Sequence, residues 1–299
     1  MAVELIPFPR RFDFDLTVRS HGWFDLEPFR LDRSARTLDV ALARPGLSPV
    51  TATIGCAERG RLRVEWTGGG DLAPPRAALR RIFRLDEDLR PFHRLVASDP
   101  DRRWIANRGA GRLLRAPTAF EDLVKLVLTT NCSWALTRRM VANLVALRGE
   151  PAPKGLRTFP GPDRLAGDGA AFFRDRVKAG YRAPFLAEIV RRVNDGRLDP
   201  ESWRASTEPS DALRARILEC PGAGPYVAEN LLKLLGRYDY LALDSWCRAR
   251  YAKLHLRGRK PRDAAIERRY RRFGEWKGLV LWLDLTRHWH EAPGDAYWS

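Results

Sequence analysis

A glycine-rich turn between two helix-forming segments is the first feature of this sequence that could bind a ligand. The turn Cys220-Pro-Gly-Ala-Gly-Pro225 separates an apolar segment ending at Leu218 from a second one beginning at Pro225. Proline suits the first turn of a helix, and paired glycines let backbone amides converge on one oxygen. With the dipole of the helix N-terminus, the amides of Gly222 and Gly224 could hold one phosphate of a nucleic acid without reading its sequence. A purely structural hairpin that needs its glycines for the turn is the alternative.

An isolated carboxylate, Asp244, follows this hairpin. Leu241 and Leu243 make an apolar, strand-like approach to it, and a new helix starts after it. The most common role of an aspartate in this position is an N-cap, whose side chain accepts a hydrogen bond from the first helical turn. The N-terminus of a helix also keeps a carboxylate ionised, so an N-cap role and a chemical role are compatible.

The elements that must position these residues fall into two regions. In about residues 10–67 apolar and polar side chains alternate, which predicts at least four antiparallel strands. The alternating residues are Phe12, Phe14, Leu16 and Val18; Leu38, Val40 and Leu42; Val50, Ala52 and Ile54; and Leu62, Val64 and Trp66. The breaker Gly68-Gly69-Gly70 ends this region. We therefore predict an N-terminal antiparallel β domain over residues 1–75.

The rest of the chain, residues 76–299, is predicted to be a larger all-helical domain. Thr118 and Glu121 have the spacing of a capping box, and the apolar residues behind them follow the period of an amphipathic helix. Ser133 could cap the next helix, and Gly236 is placed to end the second helix of the hairpin. The predicted fold class is thus α+β, with a helix-hairpin-helix inside the helical domain.

Charge and cysteine content indicate a partner and a compartment. The 299 residues include 53 lysines and arginines against 37 acidic residues, a formal net charge of +16 that suits a nucleic-acid backbone. Because only seven of the basic residues are lysines, the arginine-rich composition of a GC-rich genome is the alternative explanation. No apolar run approaches the ~20 residues of a membrane span, and the N-terminus lacks a secretory signal. The four widely spaced cysteines form neither a disulfide framework nor a CxxC pair, so we expect a cytoplasmic, nucleoid-associated protein.

The combination of hairpin, helix and isolated aspartate resembles the HhH-GPD superfamily of DNA glycosylases. The segment Gly180-Tyr-Arg182 resembles the family's GYR segment, and Thr129-Thr-Asn-Cys-Ser133 resembles the loop that enters the DNA at the flipped base. The N-terminal β domain is similar to the one that alkylpurine and 8-oxoguanine glycosylases carry. The resemblance covers most of the chain and is strongest over about residues 116–252. It implies base excision repair of damaged double-stranded DNA, in which the target base is flipped out of the stack.

The resemblance gives Asp244 a catalytic role, since it matches the essential aspartate of the family. Cleavage of the N-glycosidic bond passes through an oxocarbenium-like sugar, which a nearby carboxylate stabilises. Members that also cleave the strand carry in the hairpin helix a lysine that forms a Schiff base, but Tyr226 stands at that position here. The sequence therefore resembles the monofunctional members, without AP-lyase activity. Lys233, two turns further on, is expected to contact a phosphate or solvent.

The base pocket implied by the resemblance is aromatic. Tyr226 and Trp282 match positions where alkylpurine glycosylases have aromatic residues, and Trp246 is a third candidate. Such rings hold an electron-poor base by stacking and cation–π attraction. For Trp282, ordinary core packing is the alternative.

Three further residues are candidates for DNA contacts. Asn131 matches the residue that fills the space left by the flipped nucleotide, and a helix-breaking role before the next N-cap is its alternative. Tyr181 and Arg182 are expected to bind DNA or, alternatively, to seat their loop against the hairpin.

No cofactor is required by the resemblance. In the family a monovalent cation often lies behind the hairpin, and here the main-chain carbonyls of Leu218, Cys220 and Ala223 would hold it. Cys247 is the only cysteine after the hairpin, so the four-cysteine iron–sulfur cluster of some relatives is not expected.

Together these observations predict a monomeric, monofunctional DNA glycosylase that removes a damaged purine, with an alkylated purine as the first expectation. An 8-oxoguanine-type glycosylase and a catalytically inactive helix-hairpin-helix DNA-binding protein are the alternatives. A helical transcription factor would need a recognition helix, for which the sequence offers no candidate. The segment Ser20-His-Gly-Trp-Phe24 departs from both glycosylase types, so the lesion is left undefined.

Overall fold

The computed structural model describes residues 2–57 and 60–291. Five described strands form one antiparallel sheet in the order β1-β5-β4-β3-β2. They are β1 (Ala2–Pro7), β2 (Phe29–Asp32), β3 (Thr37–Arg44), β4 (Leu47–Ala57) and β5 (Arg61–Thr67). A helical region follows the sheet, so the predicted α+β class is confirmed.

The centre of the sheet is the part that the alternating pattern predicts. Val40 of β3 pairs with Ala52 of β4, and Ile54 of β4 pairs with Val64 of β5. These four side chains are fully buried, as is Trp66. Since side chains alternate between the faces of a strand, these residues show that one face of the sheet packs in the hydrophobic core.

The prediction is wrong at the start of the chain. Phe14–Val18 is a helix, α1, and Asp13 caps it by accepting a hydrogen bond from the Leu16 amide at 2.9 Å. The apolar residues of α1 are buried together with Thr17, so their alternation does not mark one wet and one dry face. The strands β1 and β2 were not predicted; β1 is an edge strand that leaves Val3 and Leu5 exposed.

Twelve more α helices lie in the described part of the chain after the sheet. They are α2 (Ala73–Ile82), α3 (Arg90–Ala97), α4 (Arg103–Arg108), α5 (Ala119–Leu128), α6 (Trp134–Arg148), α7 (Ala170–Asp175), α8 (Ala183–Asn194), α9 (Ser210–Leu218), α10 (Pro225–Leu235), α11 (Ser245–His255), α12 (Asp263–Tyr270) and α13 (Lys277–Glu291). Short 3-10 helices cover Gly22–Asp25, Pro153–Gly155, Asp163–Leu165, Gly180–Arg182, Pro200–Ala205 and Arg271–Trp276. Among the described residues, none of the helices is both long and apolar enough to cross a membrane.

Helix α5 is buried on every face, so it is a central helix rather than the predicted amphipathic one. Thr118 caps it by accepting the Glu121 amide at 3.2 Å, which is one half of the expected capping box. The other half does not form, because the Glu121 carboxylate accepts a hydrogen bond from Lys125 at 2.6 Å. Both side chains of this pair are buried, and a buried charge needs such a partner.

The segment between α1 and β2 joins the sheet to the helices. The Trp23 indole donates to Asp122 of α5 at 2.6 Å, and the Ser20 hydroxyl accepts the Leu114 amide at 2.8 Å. The hydrophobic core is continuous from the sheet into the helical region. The division at residue 75 stays a prediction, but β5 does end and α2 does begin on either side of the glycine breaker.

Candidate active site

A cavity of about 1130 Å³ lies where the hairpin, α11, α13 and the 3-10 helix at Gly22–Asp25 meet. This volume slightly exceeds the ~300–1,000 Å³ of ordinary small-molecule sites. Its lining includes Asp244, the hairpin glycines and five tryptophans. The residues singled out in the sequence for chemistry and for phosphate binding therefore line one cavity.

The hairpin consists of α9, a turn and α10. Gly222 has φ +75°, a left-handed conformation that favours glycine, and a Cβ there would lie 2.9 Å from the Phe185 ring. Pro225 begins α10, and Gly236 ends it with φ +94°, as predicted. Gly224 is exposed. Neither the Gly222 nor the Gly224 amide donates a hydrogen bond within the described chain, so both are available to an anion.

Asp244 is the N-cap of α11 and accepts the Cys247 amide at 2.6 Å. Its side chain is partly exposed and lines the cavity. The approach to it is irregular rather than strand-like, because Ala242 takes the left-handed conformation with φ +51°. Burial raises the pKa of the neighbouring Cys247 thiol to about 12, so this thiol stays protonated at neutral pH.

Aromatic rings form much of the cavity lining, as the sequence led us to expect. Tyr226, Trp246 and Trp282 all line it. The ring centroids of Trp246 and Trp282 are 5.8 Å apart, and Trp289 completes a cluster at 5.5 Å from Trp246. Trp282 is only partly buried and donates its indole N–H to the Ser20 carbonyl at 2.9 Å, so it is not simply a core residue.

The Tyr226 hydroxyl lies 3.2 Å from Thr129 Oγ1. Because Thr129 already donates to the Leu126 carbonyl at 2.7 Å, the phenol is the donor of this pair. Burial raises the pKa of Tyr226 to about 12. The phenol therefore stays neutral and fixed at the cavity wall.

The expectation for Lys233 is wrong. Its side chain is 4% exposed and lines the cavity instead of reaching a phosphate or bulk solvent. Nζ lies 4.8 Å from the Trp282 ring centroid and donates to Asn230 Oδ1 at 3.4 Å. Burial lowers the pKa of this lysine below its ordinary value. The helical period explains the placement, since a residue seven positions after Tyr226 falls on the same face of α10.

The loop residues expected to contact DNA separate into two kinds. Asn131, with φ +45°, and Tyr181 are exposed at the mouth of the cavity and joined by an Asn131 Nδ2 to Tyr181 hydroxyl hydrogen bond of 3.2 Å. Arg182 is instead 4% exposed and donates to the Thr130 carbonyl and, at 3.3 Å, to the Ala179 carbonyl. Its guanidinium lies 4.5 Å from the centre of the Tyr181 ring. The DNA-binding expectation for Arg182 is therefore corrected in favour of its alternative, seating the loop.

The sequence reasoning missed the residues that close the cavity on the side of the sheet. Gly22 packs so tightly on the Trp134 ring that a Cβ would overlap it, and the Trp134 indole donates to Asp25 at 2.7 Å. The His21 imidazole donates through Nε2 to the Leu114 carbonyl, and burial lowers its pKa to about 3. The unusual segment from Ser20 to Phe24 was the available signal, but its partners lie about 100 residues away.

The three carbonyls predicted to hold a monovalent cation lie at the hairpin turn. The Cys220 carbonyl accepts the Ala223 amide at 3.0 Å, which leaves it one lone pair. Uncharged carbonyl oxygens are suitable ligands for an alkali cation. The cation site at Leu218, Cys220 and Ala223 thus fits the chemistry of the donors and stays a prediction.

Comparison with known proteins agrees with this architecture. No protein-family model matches the sequence. The chain is 26% identical over 303 residues to a probable N-glycosylase/DNA lyase of Methanothermobacter thermautotrophicus, with 93% of each chain covered. Its fold is similar to that of a 3-methyladenine DNA glycosylase from Archaeoglobus fulgidus, with a TM-score of 0.74 at 19% identity over 97% of this chain and 99% of that one.

A Clostridium acetobutylicum 8-oxoguanine glycosylase/lyase, in complex with double-stranded DNA that carries cytosine opposite 8-oxoguanine, is equally similar. The TM-score is 0.74 at 16% identity, with 98% of this chain and 99% of that chain covered. The resemblance recognised in the sequence is therefore confirmed: the chain has the fold of the HhH-GPD superfamily of DNA glycosylases.

Proposed function

We propose that this protein is a monofunctional DNA glycosylase of base excision repair, which flips a damaged purine out of double-stranded DNA and hydrolyses its N-glycosidic bond. One observation carries the proposal: the Asp244 carboxylate and the free hairpin amides line the same aromatic cavity. Hairpin amides that hold a backbone phosphate would place the adjacent sugar near the carboxylate. The similar proteins named above are all glycosylases, which supports removal of a base; two of the three are also named lyases, so the monofunctional part of the proposal rests on Tyr226.

Asp244 supplies the negative charge that the reaction needs. As the base departs, positive charge develops on the sugar ring, and a carboxylate close to the anomeric carbon stabilises it. The same carboxylate orients the attacking water as a general base. Its hydrogen bond to the Cys247 amide holds the side chain at the helix N-terminus, where the dipole favours a negative charge.

Hydrolysis without strand cleavage follows from Tyr226. A phenol cannot form the imine through which strand-cleaving members proceed, and this phenol is protonated and hydrogen-bonded to Thr129. Lys233 is the one amine that we find lining the cavity in the described part of the chain. Borohydride treatment of the protein with an abasic duplex should therefore trap no covalent adduct; an adduct lost in Lys233→Met would overturn this subclass.

A damaged purine, with an alkylated one as the first candidate, fits a cavity with rings on several sides. Tyr226, Trp246 and Trp282 offer faces on which an altered base can stack. An 8-oxoguanine-type activity is the second candidate, because Lys233 and the Ser20–Gly22 backbone add polar groups near the aromatic wall. In a protein that binds DNA without catalysis, Asp244 would serve only as the N-cap of α11.

The test is a panel of duplexes, each with one defined lesion, treated with hot alkali after incubation with the protein. We expect strand breaks with at least one alkylated or oxidised purine and none with undamaged DNA. Asp244→Asn serves as the matched control, since asparagine caps a helix about as well as aspartate. Breaks that persist in Asp244→Asn, or the absence of breaks with every lesion, would contradict the proposal.

A further inference from the structure

Lys233 differs from the other buried lysine of the described chain. Lys125 is fully buried, and Glu121 accepts its ammonium at 2.6 Å. Lys233 is 4% exposed, yet no carboxylate among the described residues forms an ion pair with it. The Asp244 and Glu229 carboxylates attract this ammonium only from beyond ion-pair distance. Because burying an ammonium without a directly paired carboxylate is costly, a structural role alone does not explain a lysine at this position.

The surroundings of Lys233 leave part of its hydrogen-bonding capacity unused. An ammonium has three N–H donors, and here one is directed to Asn230 Oδ1 at 3.4 Å. Asn230 is itself fixed, because its Nδ2 donates to the Tyr226 carbonyl at 2.9 Å. The Trp282 ring lies against the ammonium on another side, at 4.8 Å from Nζ to the centroid. The Lys233 side chain lines the cavity, so the other N–H groups of its ammonium are available to a ligand bound there.

This arrangement distinguishes bases by their formal charge. A purine bound in this cavity would share it with the Lys233 ammonium, whose unused N–H donors belong to a side chain of the same lining. A neutral base with an acceptor such as O6 or N7 gains a charge-assisted hydrogen bond there. A purine that ring alkylation has made cationic is attracted by the Asp244 carboxylate of the same cavity but repelled by the Lys233 ammonium, and loss of the ammonium would leave only the attraction.

We infer that Lys233 is the specificity-determining residue of the cavity, and that it selects neutral damaged purines, including those alkylated on an exocyclic oxygen, over purines made cationic by ring alkylation. This inference rests on the proposed function and deepens it by naming the substrate class. Alkylated purines include both neutral and cationic bases, so this inference narrows the expected alkylated substrate to the neutral ones.

Two guanine lesions that differ in charge but not in the number of methyl groups provide the test. O6-methylguanine is neutral, whereas 7-methylguanine in DNA carries a positive charge on its ring. Single-turnover excision rates are measured for each in otherwise identical duplexes. Binding is measured in parallel with hydrolysis-resistant 2′-fluoroarabino forms of the same two nucleotides. The ratio of the two lesions within one variant cancels any general loss of activity.

We expect the wild-type protein to favour O6-methylguanine, and Lys233→Met to shift the ratio toward 7-methylguanine by about tenfold or more. Lys233→Gln is a second neutral variant in case methionine disturbs the fold, and Lys233→Arg should keep the wild-type ratio because it keeps the charge. Lys253→Met is the matched control, since Lys253 is exposed and its loss changes the net charge equally. A ratio that does not move in either neutral variant, or that moves equally in Lys253→Met, would overturn the inference.

The excision and binding measurements together separate this inference from the proposed function. If the wild-type protein excises a lesion but the neutral variants leave both ratios unchanged, the role of Lys233 fails and the glycosylase stands. If no duplex is cleaved but the binding ratio shifts in the neutral Lys233 variants alone, the catalytic proposal fails and the charge selection stands.

Discussion

The Glu229 carboxylate accepts the backbone N–H of Ala242 at 3.1 Å, two residues before the candidate catalytic aspartate. Its other oxygen accepts a hydrogen bond from Arg214 of α9 at 2.8 Å. Ala242 is in the left-handed conformation with φ +51°, which costs free energy for a residue with a side chain. Glu229 thus ties both helices of the hairpin to the turn that leads into Asp244.

Glu229 is therefore expected to act as a positioning residue. Glu229→Ala should leave the Ala242 amide without its acceptor, at a cost of about 1–3 kcal/mol, and let the turn relax. We expect a fall in the single-turnover excision rate of about tenfold or more, with lesion-duplex affinity changed much less. Glu229→Gln, which keeps an acceptor but loses the negative charge that pairs with Arg214, should recover part of the rate. Equal losses of rate and affinity in both variants would indicate general damage to the fold instead.

Substitution by alanine should destabilise the protein at Gly222 but not at Gly224. At Gly222 the left-handed backbone opposes alanine, and so does the Phe185 ring, which would lie 2.9 Å from the added Cβ. At Gly224 no described atom outside the residue and its two chain neighbours lies within 4 Å of such a Cβ, and φ is −79°. Urea denaturation should show Gly222→Ala less stable by about 1–3 kcal/mol and Gly224→Ala within about 0.5 kcal/mol of the wild type. Equal stabilities of the two variants would contradict the left-handed conformation of Gly222 and its close contact with the Phe185 ring.

Because His21 is buried in its neutral form, the free energy of unfolding should fall in mild acid. Burial lowers its pKa to about 3, against an ordinary value of 6.5 in the unfolded chain. Below pH 6.5 the unfolded state therefore gains a proton that the folded state does not, and stability is lost progressively down to about pH 3. This one group accounts for about 2 kcal/mol between pH 7 and pH 5.

The measurement for His21 is the free energy of unfolding at pH 7, 6 and 5, for the wild type and for His21→Gln. Glutamine keeps a donor for the Leu114 carbonyl but does not titrate. The decline should be shallower in His21→Gln, while the contribution of the buried His290, whose pKa burial lowers to about 4, is common to both proteins. Parallel declines would contradict the assignment.

Local patterns in the sequence predicted the parts of the fold that depend on neighbours along the chain. The alternation in β3, β4 and β5 is confirmed because each of these strands buries one face of a sheet. Alternation failed at Phe14–Val18, where Asp13 caps a short helix that is enclosed by the core. A period of two cannot be told from a single helical turn when apolar residues on every side are buried.

The sequence predicted site residues only where the residue type and a local motif together indicate a role. Asp244 and Tyr226 were found from the hairpin and the resemblance, and both line the cavity. The contacts of Gly22 with Trp134 and of His21 with Leu114 join segments about 100 residues apart, so no local pattern encodes them. The burial of Lys233 depends on Trp282, which comes from another helix.

The catalytic role of Asp244 is tested most directly by the single-turnover excision rate of Asp244→Asn on a lesion that the wild-type protein removes. We expect a loss of at least about 100-fold, because the charge that stabilises the sugar cation is gone while the N-cap is kept. Affinity for the lesion duplex, measured at the same salt concentration, should stay within about twofold. An excision rate in Asp244→Asn equal to that of the wild type would contradict the central claim that this carboxylate carries the chemistry.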